Sequence, residues 1–600
     1  MTRLFIDKQE VALTSDFQLD FYSQNPFFTK NGDYTYDLDI DLNHPGNRKI
    51  YQSINRFDVT GHPTNRSALL LSGPNVIVDG TEVILSIEDN IAKIQLVSGN
   101  SELNYLYAGE TTIRQLNLGS LNLNAEYNNL NKLYPDVTHV CCPVISQKGN
   151  YKIDDSSQKT DKIFNELEWD TRNGFIYKTD TTMVPQPFLL YCIDKIIEAM
   201  GYSIEENVLK DDELAKRLII IHGIQSSTNI NRILPDWKVD EFITEVEKLF
   251  NVIFLVNQFT RKIKIARMKS FYQDSEMIEI SNNDLVEEVQ KNYDQAESLY
   301  ITYDNIKYSL PSSRWYKYQN LTDELRDKCG KTTASLKEIL SYGFINYPYK
   351  LWFEENFRIW MIHSAYPSGG ESYACWEIVD QMKNVTNESS ENECELKIVP
   401  SEIYGNNVWL TGMDFGGSKY YDGWITSACP VVSNTTEGEV TEYAYQEIEN
   451  GSSEESVDDS YLFVAIYLGL KPYMYSSDYM NEEVDQPILN SMLVPQSVAY
   501  PCFIHYNRAS QGTKITKLTD DKLSLAIESS QGGLYDRYYQ DSIKVDTKTE
   551  YVFKFKYKNL YDCKSIFLIG NKKYYCKELH YTVTPDGIEP IVEGTFYLVN

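Results

Sequence analysis

The chain has 600 residues, of which 24% are charged and 42% apolar, enough for about four globular domains. Its formal net charge of −30 argues against a conventional DNA-binding protein or attachment to an anionic membrane, because phosphates would repel it. The 46 tyrosines favour β structure and protein interfaces, since a phenol combines a large apolar face with one polar tip. A compositional bias of the source genome is the alternative explanation of the tyrosines.

The cysteines form no C-x-x-C pair and no regular framework, and several lie inside apolar runs. This pattern predicts reduced, buried thiols made in a cytoplasm. The N-terminus lacks the apolar run of a signal peptide, and no apolar stretch approaches the ~20 residues that span a bilayer, so we expect no membrane insertion. The ten cysteines are Cys141, Cys142, Cys192, Cys329, Cys375, Cys394, Cys429, Cys502, Cys563 and Cys576.

Residues 1–185 read mainly as strands and are predicted to form an N-terminal β domain. Apolar and polar residues alternate from Tyr34 to Leu42, which predicts one strand with a buried and a solvated face. Closely spaced apolar segments follow. Asp79-Gly80 and Asp89-Asn90 between them predict hairpin turns. A short helix is predicted within Asn47–Phe57.

Residues 186–290 are predicted to form a small α+β domain. Its first helix is expected over Phe188–Met200, with Gly201 as the cap. A second helix is expected from Asp240 to Phe250, capped by Asn251 and followed by the strands Val252–Val256 and Lys262–Met268.

The apolar stripe of the second helix predicts which side chains face its sheet. Phe242 and Leu249 are expected to be buried, whereas Glu247 and Lys248 are expected on the outer face.

Residues 291–520 are predicted to be a β-rich insert in which aromatic strand-like segments alternate with polar loops. The acidic, Gly- and Ser-rich stretch Thr435–Asp459 predicts an exposed loop. Residues 521–600 are predicted to form a C-terminal β domain, with a strand over Tyr551–Tyr557 and turns at Gly570-Asn571 and Asp586-Gly587. The predicted fold class is therefore α+β, mainly β.

Catalytic motifs are absent from the sequence, so no catalytic, cofactor-binding or metal-binding residues are predicted. No two of the seven histidines have metal-ligand spacing, and there is no H-E-x-x-H, G-x-S-x-G, Walker loop or G-x-G-x-x-G. His139 lies two residues before Cys141, but a strand histidine is favoured over a catalytic dyad. Asp37, Asp39 and Asp41 alternate along one strand and are interpreted as its solvent-exposed face rather than as a calcium site.

A glycan depolymerase is the enzyme alternative that the sequence leaves open. Such an enzyme needs two carboxylates at a set separation, and 86 acidic residues neither select nor exclude a pair. It would also need an aromatic cleft for sugar, for which Trp352, Trp360 and Trp376 are candidates. The alternative interpretation of these tryptophans is core or interface packing.

Three stretches carry a family resemblance. The segment Asp236–Ile243, continuing through Leu249–Phe254, resembles the α+β insert domain of phage baseplate hub and tail-tip proteins. The opening, Phe21–Phe28 with Tyr34–Leu42, looks like the first strands of their tail-tube-like domain. The ending, Asn571 through Gly587, is similar to their closing barrel strands. The resemblance covers about 250 residues by hydrophobic pattern and excludes residues 300–520.

The resemblance implies tail-tube-like β domains at both ends of the chain and no enzymatic activity, cofactor or metal. It implies a homotrimer in the virion that joins a sixfold tail tube to a threefold tip, lets DNA pass without specific binding, and is assembled in the host cytoplasm. Partners would be tail tube or distal tail proteins, the tape measure protein, and tail fibre or receptor-binding proteins. The runner-up hypothesis is a receptor-binding or carbohydrate-binding tail protein. A bacterial glycan-binding surface protein is a third.

Overall fold

The fold was analysed in a computed structural model of the whole chain. Side chains are described for most of residues 1–293 and 533–599, and for shorter segments between them. The described residues are 1–61, 63–107, 111–123, 127–147, 162–170, 172–225, 228–287, 289–293, 305–309, 329–332, 351–354, 358–363, 372–375, 393–401, 403–415, 418–432, 434–436, 439–441, 461–472, 489–490, 499–503, 505–510, 513–518, 523–525, 527 and 533–599.

Most of the regular structure is strand, which confirms the mainly β, α+β class. The first strands are β1 Thr2–Ile6, β2 Gln9–Val11, β3 Leu19–Gln24, β4 Asp33–Thr35, β5 Leu38–Asp41, β6 Arg66–Ser72, β7 Asn75–Glu88 and β8 Ile91–Ser98. Short strands follow as β9 His139–Val140, β10 Val144–Gln147, β11 Lys162–Phe164, β12 Leu167–Asp170, β13 Gly174–Tyr177 and β14 Gln186–Pro187. The next group is β15 Ser203–Asn207, β16 Leu218–Ile220, β17 Val252–Asn257, β18 Lys262–Arg267, β19 Met277–Ile280 and β20 Gln290–Tyr293.

The second half of the chain contributes the remaining strands. Those before residue 520 are β21 Asn305–Tyr308, β22 Cys329–Thr332, β23 Leu351–Glu354, β24 Arg358–His363, β25 Ser372–Cys375, β26 Glu393–Leu396, β27 Ile398–Pro400, β28 Ile403–Phe415, β29 Ser418–Pro430, β30 Asn434–Thr436, β31 Glu439–Thr441, β32 Leu462–Pro472, β33 Leu489–Asn490, β34 Ala499–Phe503, β35 His505–Ser510 and β36 Thr513–Leu518. The last are β37 Thr549–Lys556, β38 Ile566–Ile569, β39 Lys572–Thr584, β40 Gly587–Ile588 and β41 Ile591–Leu598.

Helices are short. The α-helices are α1 Pro26–Thr29, α2 Pro45–Ile50, α3 Asn100–Tyr107, α4 Leu189–Ala199, α5 Ile230–Ile233 and α6 Val239–Phe250. Single turns of 3-10 helix occupy Ile113–Gln115, Tyr127–Asn131, Val208–Asp211, Ala215–Arg217 and Met268–Ser270, and Tyr535–Tyr539 forms a π-helical turn.

Strands from both ends of the chain form one 15-stranded sheet, which we call the terminal sheet. Its main order is β2-β1-β6-β7-β8-β4-β3-β39-β41-β37-β20. The two ends meet where β3 pairs with β39, with Leu19 opposite Val583 and Gln24 opposite Glu578. One hydrophobic core contains buried side chains from both ends, such as Leu4 and Phe555. The predicted boundaries at 185, 290 and 520 stay predictions, but the first and last of these regions share a sheet.

The helices and strands predicted within residues 186–290 are present: α4, α6 and a three-stranded sheet, β15-β18-β17. We call this set the α+β unit. Helix α4 ends before Gly201, whose φ of +82° fits the predicted cap, and α6 ends at Asn251, whose φ is +47°. Ile263 and Ile265 of β18 are buried. Just before α4, Pro187 of β14 pairs with His139 of β9.

The described part of the predicted insert is β-rich, and some of it packs on the α+β region. Strand β32 pairs antiparallel with β16 and parallel with β27. Phe463 and Tyr467 of β32 therefore lie in the same core as Phe242 and Leu249 of α6. Of the acidic stretch Thr435–Asp459, the short hairpin of β30 and β31 is described and residues 442–459 lie outside the described residues.

Asp79-Gly80 is not a hairpin turn, so that prediction is wrong. Both residues lie inside β7, a 14-residue strand, with Gly80 opposite Ala68 of β6. The turn before β7 is instead formed around Gly73, whose φ is +58°. Glycine is needed at position 80 for packing: a Cβ atom there would collide with the carbonyl oxygen of Val97 and lie 2.9 Å from Ser98 Cα. The predicted turn at Asp89-Asn90 is confirmed, with positive φ at both residues.

The alternation from Tyr34 to Leu42 is interrupted, so the prediction of one strand is wrong in part. Two strands, β4 and β5, replace it, with Tyr36 and Asp37 between them. Leu38, Ile40 and Leu42 are buried as predicted, but Tyr36 is 50% exposed. The two strands also differ in their partners: β4 pairs with β3 and β8, whereas β5 pairs with β8 alone.

Candidate functional site

A polar seam joins the terminal sheet to the α+β unit. The side chain of Asn100, at the start of α3, donates from Nδ2 to the carbonyl oxygen of Phe254 at 2.6 Å. Its Oδ1 accepts from the backbone N–H of Val256 at 3.0 Å. One amide therefore satisfies a donor and an acceptor on the edge strand β17, where open backbone groups would otherwise need water.

Two ion pairs reinforce this seam. The ammonium group of Lys30 lies 3.3 Å from the carboxylate of Glu247 on α6 and 3.0 Å from Thr244 Oγ1. Arg261, in the turn between β17 and β18, lies 3.2 Å from Glu102 of α3. The Glu247 and Glu102 side chains are only 9% and 2% exposed, whereas Lys30 and Arg261 are 32% and 52% exposed, so each pair joins a buried carboxylate to a cation in contact with water.

Glu247 lies on the buried face of α6, so the prediction that it is exposed is wrong. The residue is 8% exposed, and its carboxylate also accepts from the backbone N–H of Phe254 at 3.1 Å. Burial raises the pKa of this carboxyl, while Lys30 opposes the shift. The apolar stripe of the helix could not show this, because the partner Lys30 comes from a distant part of the sequence. Phe242 and Leu249 are each 1% exposed, as predicted.

A cleft of about 430 Å³ opens beside the seam, between the terminal sheet and the turn after β17. Clefts between packed units are common ligand sites, which makes it the candidate small-molecule site. Its polar and charged lining residues are Ser23, Gln24, Asp33, Asn100, Glu205, Asn257, Gln258, Asp562, Lys264 and Lys564.

Asp33 lines this cleft and has a carboxyl group with a shifted pKa. Burial raises the pKa of its carboxyl to about 6, although hydrogen bonds from Ser23 and Gln258 and the charge of Lys564 act in the opposite direction. The Oε1 atom of Gln258 is buried without a hydrogen-bond partner in the described structure. In this cleft the Asp33 carboxyl can hold a proton, and Gln258 Oε1 can accept a hydrogen bond from a ligand. The lining contains no histidine, the side chain that most often serves as a general acid or base.

Sequence reasoning missed Asp33, because nothing in its local sequence marks it. It follows Asn31-Gly32 and reads as the first residue of a strand. Its environment comes from β3, from the turn after β17 and from the loop before β38, and these segments are far apart in the chain.

The structure does not support a catalytic dyad at His139 and Cys141. Burial raises the pKa of the Cys141 thiol to about 12 and lowers the pKa of the His139 imidazole. Both side chains are therefore neutral at physiological pH, whereas a nucleophilic cysteine needs the thiolate. His139 Nδ1 lies 2.9 Å from Thr138 Oγ1.

The other candidate site residues are dispersed. Asp37 and Asp39 are exposed and Asp41 is half-buried, and no group of three metal-ligating side chains is found within the described residues. Trp352 and Trp360 lie opposite each other on β23 and β24, but their side chains and Trp376 lie outside the described residues. In the part of the chain that is described, no helix is long and apolar enough to cross a membrane.

The described terminal sheet has edges at both ends. Strand β2 pairs with β1 at one end, and β20 pairs with β37 at the other. All four residues of β20 are exposed, including Tyr293 at 79%. Such an edge offers backbone donors and acceptors for pairing with another chain.

Comparison with known proteins gives similarities to solved structures only. No family model matches the chain, and no curated protein matches it. Among solved structures, the chain is similar to the 43 kDa tail protein of prophage MuSo2 from Shewanella oneidensis, over 99% of this chain and 95% of that chain. The aligned residues are 6% identical and the TM-score is 0.28, and a similarity this low carries no argument about fold or function.

Proposed function

We propose that the chain is a structural virion protein, the hub of a phage tail tip or baseplate that joins the tail tube to the tip. The observation that carries the proposal is the attachment of the α+β unit to a β sheet built from both chain ends. The resemblance implies an α+β insert domain with tube-like β domains at both chain ends. Here the strands of the two ends share one sheet, and the α+β unit is attached to it.

Rigid attachment suits a hub. Asn100 fixes the edge of β17, and Lys30 and Arg261 pair with carboxylates across the seam. Separating the two units would break both ion pairs and both Asn100 hydrogen bonds together, which favours a fixed attachment. A protein that transmits force from tube to tip without doing chemistry benefits from such a joint.

The charge of the chain fits a role as a channel wall. A net charge of −30 per chain repels DNA phosphates, so the genome would slide through without sticking. In this proposal DNA is a transient passenger and not a bound ligand.

The sheet edges at β2 and β20 fit assembly into a homotrimer. Pairing between neighbouring chains would cover backbone groups that are exposed in one chain. Further partners would be tail tube or distal tail proteins, the tape measure protein, and tail fibre or receptor-binding proteins. The protein would sit at the tail tip after assembly in the host cytoplasm, and would act in host attachment and genome ejection.

Electron cryomicroscopy of the virions that carry this chain tests the proposal. We expect three copies in a ring on the tail axis, with acidic side chains lining the channel. A peripheral position would favour the receptor-binding alternative, and a channel lined by Lys and Arg would contradict the proposed passage of DNA.

A second experiment tests the non-enzymatic role. The purified chain is incubated with host envelope polysaccharide and peptidoglycan, and we expect no release of reducing sugar or muropeptides. Release that is lost on a single carboxylate substitution, such as Asp33→Asn, would instead support a depolymerase.

A further inference from the structure

Four aromatic rings form a cluster on the outer face of the terminal sheet, which we call the tyrosine platform: Tyr22, Tyr34, Tyr36 and His580. Tyr22 of β3 lies opposite Tyr34 of β4 on one side and His580 of β39 on the other. The Tyr22 ring stacks on His580 at a centroid distance of 4.5 Å and on Tyr34 at 5.4 Å, and Tyr36 meets its edge at 5.0 Å. Tyr36 is 50% exposed, so the cluster is open to solvent.

Carboxylates surround the tyrosine platform. Asp20 lies 2.9 Å from His580 Nε2, and Glu578 accepts a hydrogen bond from Gln24. Glu593 lies opposite His580 on β41 and has Lys554 at 3.8 Å. Burial, together with the charges of Asp20, Glu578 and Glu593, raises the pKa of Tyr22 to about 12, which places all three acids within electrostatic reach of the ring.

Aromatic faces and carboxylates attract the same kind of ligand. The face of a phenol ring carries negative electrostatic potential and binds ammonium and guanidinium groups, and carboxylates add charge-assisted hydrogen bonds. A nucleic acid would be repelled by the same acids. A second copy of the chain would bring its own net charge of −30, which disfavours self-association through this face.

We infer that the tyrosine platform is a docking surface for a basic polypeptide segment of a partner protein, which places Lys or Arg side chains against the rings. Arginine suits the surface best, because its planar guanidinium can stack on a ring and bind a carboxylate at the same time. The inference rests on the geometry of the sheet face and does not require the hub proposal.

Binding of labelled peptides to the full-length protein tests the inference. Fluorescence anisotropy is measured with fluorescein-labelled hexa-arginine and with hexa-citrulline, which has nearly the same shape but no charge. We expect hexa-arginine to bind and hexa-citrulline to bind much more weakly. Equal binding of the two peptides would overturn the inference, because the attraction would then not depend on a cation.

Matched variants separate the tyrosine platform from general acidity. Tyr36→Leu and Asp20→Asn are each expected to weaken hexa-arginine binding by about fivefold. Tyr293→Leu removes a more exposed ring elsewhere (79% against 50% for Tyr36), and Asp39→Asn removes one negative charge from an exposed position on β5. Both should leave affinity nearly unchanged.

Two outcomes of these variants would overturn the inference. Equal losses in the platform variants and the controls would mean that the peptide senses only the overall charge. A change in sedimentation coefficient on Tyr36→Leu, without a change in peptide affinity, would assign the face to contacts between copies of this chain.

Discussion

The ammonium group of Lys30 lies 3.3 Å from the carboxylate of Glu247, although 217 positions separate the two residues in the chain. Lys30 follows α1 in the terminal sheet region, and Glu247 lies on the buried face of α6. The contact therefore connects the terminal sheet to the α+β unit. It also explains why Glu247 is buried although the helix pattern predicts an exposed position.

Glu247→Ala is expected to destabilise the protein by about 2–3 kcal/mol, because it leaves Lys30 without its carboxylate and the N–H of Phe254 without its acceptor. Glu247→Gln should cost less, since its side-chain oxygen still accepts from Phe254. Urea unfolding, followed by fluorescence, measures both. Equal costs would mean that the hydrogen bond to Phe254 contributes little.

Phe242→Ala is expected to cost about 3–5 kcal/mol, because the side chain is 1% exposed in the main core and its removal leaves a cavity. Glu198→Ala on α4 is the control, since its side chain is 70% exposed and pairs only with Lys195 at the surface. That change should stay within about 0.5 kcal/mol. A cost at Phe242 as small as that at Glu198 would contradict the burial of the α6 stripe.

Local pattern predicted much of the fold. The stripe and cap of α6, the hairpin of β17 and β18, and the turns at Asp89-Asn90 and Gly570-Asn571 all follow from residues within a few positions of one another. Asn571 has a φ of +65°, which a hairpin turn of this kind requires. Each of these elements depends on local backbone preferences or on an apolar pattern along one face of a helix or strand, and the sequence shows both.

Long-range contacts explain what the sequence could not predict. The pairing of β3 with β39 joins residues about 560 positions apart, and no local pattern specifies it. Asp33 and the tyrosine platform depend on the same pairing, because Tyr22 and His580 meet across it. Gly80 shows the same limit: it resembles a turn glycine but serves the close approach of β8.

Gly80→Ala is expected to destabilise the protein by about 2 kcal/mol or more, because the added methyl group meets the backbone at Val97 and Ser98 and no side-chain rotation can relieve it. Gly73→Ala is the control: its Cβ would have open space, but its φ of +58° is strained for alanine, at a cost of about 1 kcal/mol. Thermal unfolding compares the two. A loss at Gly80 no larger than that at Gly73 would contradict the close approach of Gly80 to Val97 and Ser98.

The thiols of Cys141, Cys142 and Cys192 are expected to resist alkylation in the native protein. All three are buried, and burial raises the pKa of each, so the reactive thiolate is scarce at pH 8. Iodoacetamide labelling followed by peptide mass spectrometry should show slow modification of these peptides before denaturation and rapid modification after it. Fast labelling of Cys141 in the native protein would contradict its burial and would support a nucleophilic role for this thiol.

Asp33 is expected to make stability depend on pH between about 4 and 6. Burial raises the pKa of its carboxyl from 3.8 to about 6, so the folded state holds the proton more tightly than the unfolded state does. Its contribution to stability is therefore fully present below the unfolded pKa and is lost as the pH rises through the folded pKa.

Asp33→Asn mimics the protonated carboxyl at every pH, so the variant does not lose this stability as the pH rises. The unfolding free energy of the variant, relative to the natural chain, should rise by on the order of 1–2 kcal/mol from pH 4 to pH 6 and then level off, allowing for water in the cleft. Asp39→Asn controls for the change in net charge. A difference for Asp33→Asn that stays flat across this range would show that its carboxyl is as well solvated in the cleft as in the unfolded chain.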